Sequence, residues 1–347
     1  MKAVLYNGPW NMSVVDLPAP EPAAGEALLR VDTVGICGSD VHGFTGESGR
    51  RAPGMVMGHE VSGTVERLGP GASAPAPGTR VAMYNIIANH APSPEEGDPS
   101  FLNKQVIGVN LGTRGAMAEY IAVPAANLTP LADGVPSEIG LLAEPLGVVL
   151  HGWHRLEARN VAPRRVAILG AGTIGMAGVL VARARGAERI ASLDTIAAKA
   201  QRAAQLGATA VPITPEDSSD DTRAAVSAAL GEPPDVVVDA VGSAGSFVSA
   251  VRMVAEGGTV LMIGNLAKEV PLPVQDMISY EWTLVGTYGF DRRAFTDAVG
   301  MLGDLHRELS GFIEGRCTLD EVPTVMTALA KGERQALKIV IDVAGGP

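Results

Sequence analysis

Cysteine is scarce in this chain. Cys37 and Cys317 are the only two among 347 residues, too few for a disulfide framework, so a reducing, cytoplasmic setting is expected. A basic excess is missing too. Lys and Arg number 27 against 38 Asp and Glu, a formal charge of −11, which argues against nucleic acid or an anionic membrane as the main partner, because both attract clustered cations. No apolar run reads as a membrane span: the longest uncharged stretch, Val166–Ala182, has 17 residues, but its four glycines mark a strand, a tight turn and a buried helix. The N-terminus MKAVLYNGPW reads as a short strand and turn, without the apolar stretch and small-residue cleavage site of a signal peptide. Internal repeats and low-complexity tails are also lacking. With 46% hydrophobic residues, the chain can bury two cores, which excludes intrinsic disorder and favours a small-molecule enzyme.

Two textures follow one another. The first 135 or so residues are rich in Gly and Pro and carry short β-branched runs at Ala27–Val34, Val61–Leu68 and Thr79–Ala82, the pattern of a mostly β domain with long loops. From Val166 strands alternate with Ala-rich helices: Arg189–Leu193, Val236–Asp239 and Thr259–Ile263 read as further strands, and such alternation implies a parallel sheet. Glu216–Asp221 and Glu232–Asp235 read as loops. Two short helices (Arg293–Leu302 and Asp320–Lys331) and a last strand (Ala336–Val343) complete the chain.

The strand Arg165–Leu169 runs into Gly170-Ala171-Gly172-Thr173-Ile174-Gly175. In such a fingerprint the first glycine allows a tight turn, the second lets the backbone approach a pyrophosphate, and the third lets the helix pack on the strand. Asp194 ends the next strand, 19 residues after Gly175, near the spacing of a carboxylate that accepts the adenosine ribose hydroxyls. It would repel a 2′-phosphate, so NAD is preferred, although Lys199 and Arg202 could still admit NADP.

Cys37 lies in Gly35-Ile36-Cys37-Gly38-Ser39-Asp40-Val41-His42, and Gly58-His59-Glu60 follows with His59 22 residues after Cys37. Thiolate, imidazole and carboxylate together suit zinc, and a catalytic site uses three protein ligands. Glu144 precedes Pro145 at a helix start within an apolar stretch, where an ionised carboxyl needs a partner. A metal would serve; an Arg or a backbone cap would serve as well.

These motifs, with Gly115–Val123 (GAMAEYIAV), Ala143–Leu146 and Asp235–Gly242 (DVVVDAVG, containing Val241), make the chain similar to the zinc-dependent medium-chain alcohol and polyol dehydrogenases, sorbitol dehydrogenases among them. The resemblance implies an α/β protein: a GroES-like, mostly β catalytic domain over residues 1–149 and 287–347, and a doubly wound Rossmann domain over 150–286, with the active site between them. It implies Cys37 and His59 as zinc ligands, Glu144 in the slot of the third, and Glu60 as a carboxylate that binds zinc directly or exchanges with water. Ser39 corresponds to the hydroxyl that touches the substrate oxygen, His42 to the relay histidine, and Asp40 to a residue that orients a ligand. Gly170, Gly172, Thr173, Ile174, Gly175, Asp194, Lys199 and Val241 would bind NAD, and Phe44, Tyr288 and Phe290 would line the substrate pocket. His151 and His154 match no catalytic position.

The chain departs from such relatives in two places. Where many hold a structural zinc with four cysteines, Tyr84–Val109 has none, so one zinc per subunit is expected and Pro92–Pro99 should form a loop held by packing or by a partner subunit. Where sorbitol-type relatives have an Arg-Tyr pair, this chain has Gly289-Phe290, pointing to a less hydroxylated or differently held secondary alcohol. The expected activity is hydride transfer between that alcohol and NAD, giving the ketone, in a homodimer or homotetramer that pairs Rossmann sheet edges, with Thr259–Ile263 as a candidate edge. Two alternatives are a zinc-free NADPH-dependent quinone or enone reductase of the same fold and a noncatalytic nucleotide-binding protein; Cys37, His59, Glu144 and Asp194 weigh against the first, and the ligand-type residues against the second.

Overall fold

The alternation of apolar and polar residues near the N-terminus builds sheets rather than helices. In a computed structural model that describes residues 1–73, 75–88, 104–110, 114–214 and 216–343, the chain forms two compact units: Met1–Glu144 with Phe295–Pro347, and Pro145–Ala294. These limits differ from the expected 149/150 and 286/287. The helix Ala143–Glu157 packs Gly152 against Leu261 and Thr287, and Phe290 packs on Gly147, so both flanking segments join the second unit's packing. The expected loop Pro92–Pro99 lies outside the described residues.

At the centre of the first unit is the strand Glu26–Ile36. It pairs antiparallel with Glu60–Leu68, with Tyr120–Pro124 and with Lys338–Asp342, which comes from the far end of the chain. Arg80–Met83 and Leu128–Pro130 extend this sheet on one side and Ile313–Thr318 on the other. Leu29, Val31 and Val34 are buried in its core, together with Ile339 and Ile341 of the C-terminal strand. In register, Gly35 sits opposite Glu60 on one neighbour and Val340 on the other. A methyl group at Gly35 would come within 2.2 Å of Glu60 Oε2. Gly35 therefore clears the space through which Glu60 and the C-terminal strand meet.

The second unit is a six-stranded sheet in which every neighbouring pair is parallel, in the order Thr209–Pro212, Arg189–Asp194, Arg165–Leu169, Val236–Asp239, Thr259–Met262, Thr283–Gly286. By chain order this is 3-2-1-4-5-6, the doubly wound Rossmann arrangement, whose direction reverses between Arg165–Leu169 and Val236–Asp239. Burial on both faces explains why these strands are nearly continuous apolar runs.

Two local expectations are corrected here. Thr259–Met262 is an interior strand, paired on both sides; the edges are Thr209–Pro212 and Thr283–Gly286. The acidic run ending at Asp221 is not wholly a turn, because Ser218 caps the helix Ser219–Leu230 and Asp220 and Asp221 occupy its first turn, where carboxylates complement the helix dipole. Among the described residues, no helix is long and apolar enough to cross a membrane.

Candidate functional site

The strand Glu26–Ile36 ends at Cys37, which begins the short helix Gly38–Phe44 carrying Ser39, Asp40 and His42. Glu60 begins the adjacent strand Glu60–Leu68, and His59 immediately precedes it. This pairing brings Cys37 Sγ, a His59 ring nitrogen and a Glu60 carboxylate oxygen within 4.8 Å of one another. Behind them, Asp40 is fully buried: its Oδ1 lies 3.3 Å from His59 Nδ1, and its Oδ2 accepts the Cys37 backbone N–H at 3.2 Å. Asp40 thereby touches both residues that offer the softer donors. With Nδ1 turned to Asp40, His59 Nε2 lies 3.5 Å from Ser39 Oγ. An imidazole held this way by a carboxylate is the arrangement that fixes a zinc-binding histidine.

Glu60 is not held by geometry alone. Lys338, buried in the C-terminal strand, donates from Nζ to Glu60 Oε1 at 2.7 Å, lies 2.6 Å from Oε2, and reaches the Ile36 carbonyl at 3.2 Å. Glu144 lies outside the three-donor group; its Oε1 accepts from Asn85 Nδ2 at 3.0 Å, and the same amide lies 3.3 Å from the His59 carbonyl. His42 Nδ1 is 2.7 Å from Glu47 Oε2 on the exposed side of the helix. Neither Lys338 nor Asn85 was singled out in the sequence. A lone cation inside the apolar run Leu337-Lys338-Ile339-Val340-Ile341 is a signal that could have found Lys338, since a buried ammonium demands a partner; Asn85 carries no such mark.

Burial and charge act against each other here. Burial alone would lower the pKa of His59, but the Asp40 carboxylate against Nδ1 and the Cys37 sulfur hold it well above the usual imidazole range. Asp40 is pulled below its ordinary value by His59 and Arg51 despite its burial. Lys338 is raised, because Glu60 outweighs desolvation. Glu144 is pushed up to about 7, chiefly by burial and with a further push from Glu60, against the pull of His59 and Lys338.

The donor set fits zinc: a thiol, an imidazole and a carboxylate converge, the imidazole is oriented from behind, and a glycine keeps the carboxylate's path clear.

In the second unit Gly170 and Gly175 show the tight turn and the close packing expected of them. Gly170 has φ +89°, the left-handed turn. A methyl at Gly175 would come within 1.7 Å of the Gly170 carbonyl, whereas one at Gly172 would meet nothing within 4 Å. Thr173 and Ile174 open the helix Thr173–Ala184 and are half-buried. Asp194 ties this turn to its own strand: its Oδ2 accepts from the Ala171 amide and its Oδ1 from the Ile196 amide, both at 2.8 Å. Lys199 lies half-buried on the following helix, Ala197–Gln205. Across the switch point, Asp239 accepts from the amides of Val241 and Gly242 at 3.0 and 2.9 Å. Phe44 and Phe290 are buried in packing, Phe44 against Trp10, while Tyr288 is exposed.

Comparison with known proteins bears on both units. A family described as the alcohol dehydrogenase GroES-like domain matches residues 23–133, and one described as zinc-binding dehydrogenase matches residues 173–304. A sorbitol dehydrogenase of Macaca fascicularis is 29% identical over 355 residues, covering 98% of this chain and 95% of its own. Among solved structures, the alcohol dehydrogenase TADH from Thermus sp. ATN1 is similar with a TM-score of 0.86 at 29% identity, covering 99% of this chain and 100% of its own. A Sinorhizobium meliloti 1021 protein bound to NADP gives 0.87 at 29% identity over 98% of each chain. The chain belongs to the zinc-dependent medium-chain alcohol and polyol dehydrogenase family. It is an oxidoreductase of the zinc-binding, nucleotide-dependent kind, acting on small molecules, with a GroES-like domain and a Rossmann domain.

Proposed function

We propose that this dehydrogenase interconverts a secondary alcohol, polyol or sugar-alcohol-like, and its ketone, with NAD as hydride carrier and one zinc ion per subunit. The observation that carries the proposal is the convergence of Cys37, His59 and Glu60 with Asp40 behind the imidazole. These three residues would hold the zinc. Glu144, which the sequence left as an equal candidate, is given instead the role of a buried carboxyl beside the centre, since its oxygen bonds Asn85. Zinc supplies Lewis acidity toward a substrate oxygen, and NAD supplies the hydride acceptor.

The chain's own residues do the rest. Ser39 Oγ, 3.5 Å from His59 Nε2, would receive the hydroxyl proton of the substrate. His42, exposed and backed by Glu47, would pass it to solvent. Gly170, Gly172, Thr173, Ile174 and Gly175 would cradle the pyrophosphate, Asp194 the adenosine ribose, and Val241 the nicotinamide side of the switch point, with Lys199 near the adenosine end. The free thiols of Cys37 and Cys317 accord with a cytoplasmic setting. For a homodimer or homotetramer, the edge strand Thr283–Gly286, near the exposed Val274, Ile278 and Tyr280, offers the contact surface in place of Thr259–Met262.

The test is a substrate screen of secondary alcohols and polyols with NAD, together with Cys37→Ala and His59→Ala. Both variants should lose turnover while keeping NAD affinity. Full activity in either, with metal chelated, would discard the zinc mechanism. A second choice of cofactor, NADP, is favoured by Lys199 and Arg202 on the helix after Asp194 and by the NADP-bound relative. A large NADP preference in kcat/KM would overturn the role given to Asp194.

A further inference from the structure

The buried side chain of Arg51 is explained neither by the fold's main sheet nor by the three-donor cluster. It is only 2% exposed. Its Nη2 donates to Asp40 Oδ1 at 3.2 Å and to the Ser39 carbonyl at 3.3 Å, and its Nη1 donates to the Val109 carbonyl at 3.3 Å. The space it occupies is kept open by Gly43, where a methyl group would stand 2.9 Å from Arg51 Cγ and Nε. Asp40 Oδ1 therefore faces Arg51 on one side and His59 Nδ1 on the other.

We infer that Arg51 is a positioning residue of the metal centre, fixing Asp40 so that it holds both the His59 ring and the Cys37 backbone in ligating geometry. This rests on the zinc assignment above. A buried carboxylate with one imidazole partner can rotate, whereas one clamped by a planar guanidinium is fixed in orientation. The guanidinium fork also ties the carboxylate to two backbone carbonyls from different segments. A lysine could balance the charge but could not match these three contacts together. Outer partners of metal ligands typically change metal affinity by about 10–100-fold.

The experiment is zinc competition against a chromophoric chelator on the full chain without cofactor, with circular dichroism and thermal melting as checks of folding. Arg51→Met is expected to weaken zinc binding by about 10–100-fold, with Arg51→Lys between it and the unaltered protein. In Asp40→Asn, adding Arg51→Met should cost less than about two-fold more, because the route from Arg51 to the metal is already cut. Arg51→Lys keeps a cation beside Asp40, so the same comparison made with it, alone and in Asp40→Asn, decides the matter even if Arg51→Met alone does not fold. Unchanged zinc affinity in Arg51→Met, or an equal loss with and without Asp40→Asn, would overturn the role of Arg51. Failure of the unaltered protein to bind zinc would instead overturn the zinc assignment.

Discussion

Replacing Lys338 by methionine tests the charge arrangement most directly, because methionine keeps much of the stem and removes the ammonium. Lys338 and Glu60 are each only 2% exposed and lie 2.6 Å apart. Lys338 is also a cation acting on Glu144. Its loss removes the buried cation that faces the Glu60 carboxyl, and breaking a buried pair by removing one partner typically costs about 3–5 kcal/mol. For a unit of this size, that corresponds to a fall in Tm of roughly 6–20 °C. The pKa of Lys338 is raised above its ordinary 10.5, so its stabilisation is fully present below that value and fades only at still higher pH. A measurement at neutral pH therefore reads the whole effect. The same carboxylate belongs to the three-donor cluster, so zinc should replace the lost ammonium. The Tm deficit should be large after chelation and much smaller with saturating zinc, and by linkage each 1.4 kcal/mol of relief is about a ten-fold gain in zinc affinity. Differential scanning calorimetry with and without chelator, and a zinc titration, provide the readout. An equal Tm deficit in both states, or zinc binding no tighter than in the unaltered protein, would refute the reasoning.

Glu144 gives a pH dependence of defined sign. Burial raises its pKa from 4.5 to about 7, so across that interval the folded chain keeps a proton the unfolded chain has lost, and stability falls as pH rises, by about 3 kcal/mol in all. Glu144→Gln should flatten that slope in denaturant unfolding of chelated protein between pH 5 and pH 8; parallel slopes would exclude Glu144 as its source. The fingerprint glycines should separate stability from binding: Gly175→Ala drives a methyl to 1.7 Å from the Gly170 carbonyl and should cost about 1–3 kcal/mol of stability, whereas Gly172→Ala meets nothing within 4 Å and should leave Tm unchanged while weakening NAD. Equal NAD affinity in Gly172→Ala would show that no pyrophosphate approaches there.

What the sequence discloses depends on how local each feature is. Arg165–Leu169 and Val236–Asp239 have the bounds their apolar runs suggest, because strands buried on both faces of a parallel sheet must be apolar throughout. The left-handed turn at Gly170 and the close packing at Gly175 are set within six residues, so composition and order suffice to read them. Strand order is another matter. Thr259–Met262 and Thr283–Gly286 have similar texture, and only the pairing of the second beside the first makes one interior and the other an edge. The same holds around the metal cluster. Cys37, His59 and Glu60 announce themselves by chemistry, but Lys338 lies 278 residues from Glu60 and is brought to it by strand pairing across Gly35. Arg51 and Asn85 gain meaning only from what they touch.

Charge conservation links these observations. The interacting buried acids are Asp40, Glu60 and Glu144, and metal ligation makes Cys37 a fourth anion. Arg51 and Lys338 are the fixed cations facing them. Four negative charges against two positive leave a deficit of two, the charge of a zinc ion. Without a dication, protons offset the excess of negative charge: His59 is raised well above its usual range and Glu144 is pushed up to about 7. Zinc binding should therefore expel protons, since the ion and the protons satisfy the same anions. Calorimetric zinc titrations at pH 6 in buffers of different ionisation enthalpy should give about two or more protons released per zinc, fewer above pH 7, where Glu144 is already ionised. In Glu144→Gln the count at pH 6 should fall by about one, because an amide has no proton to give. A release near zero at pH 6 would mean that these groups do not share one charge balance, and that Lys338 and Arg51 serve the fold rather than the metal.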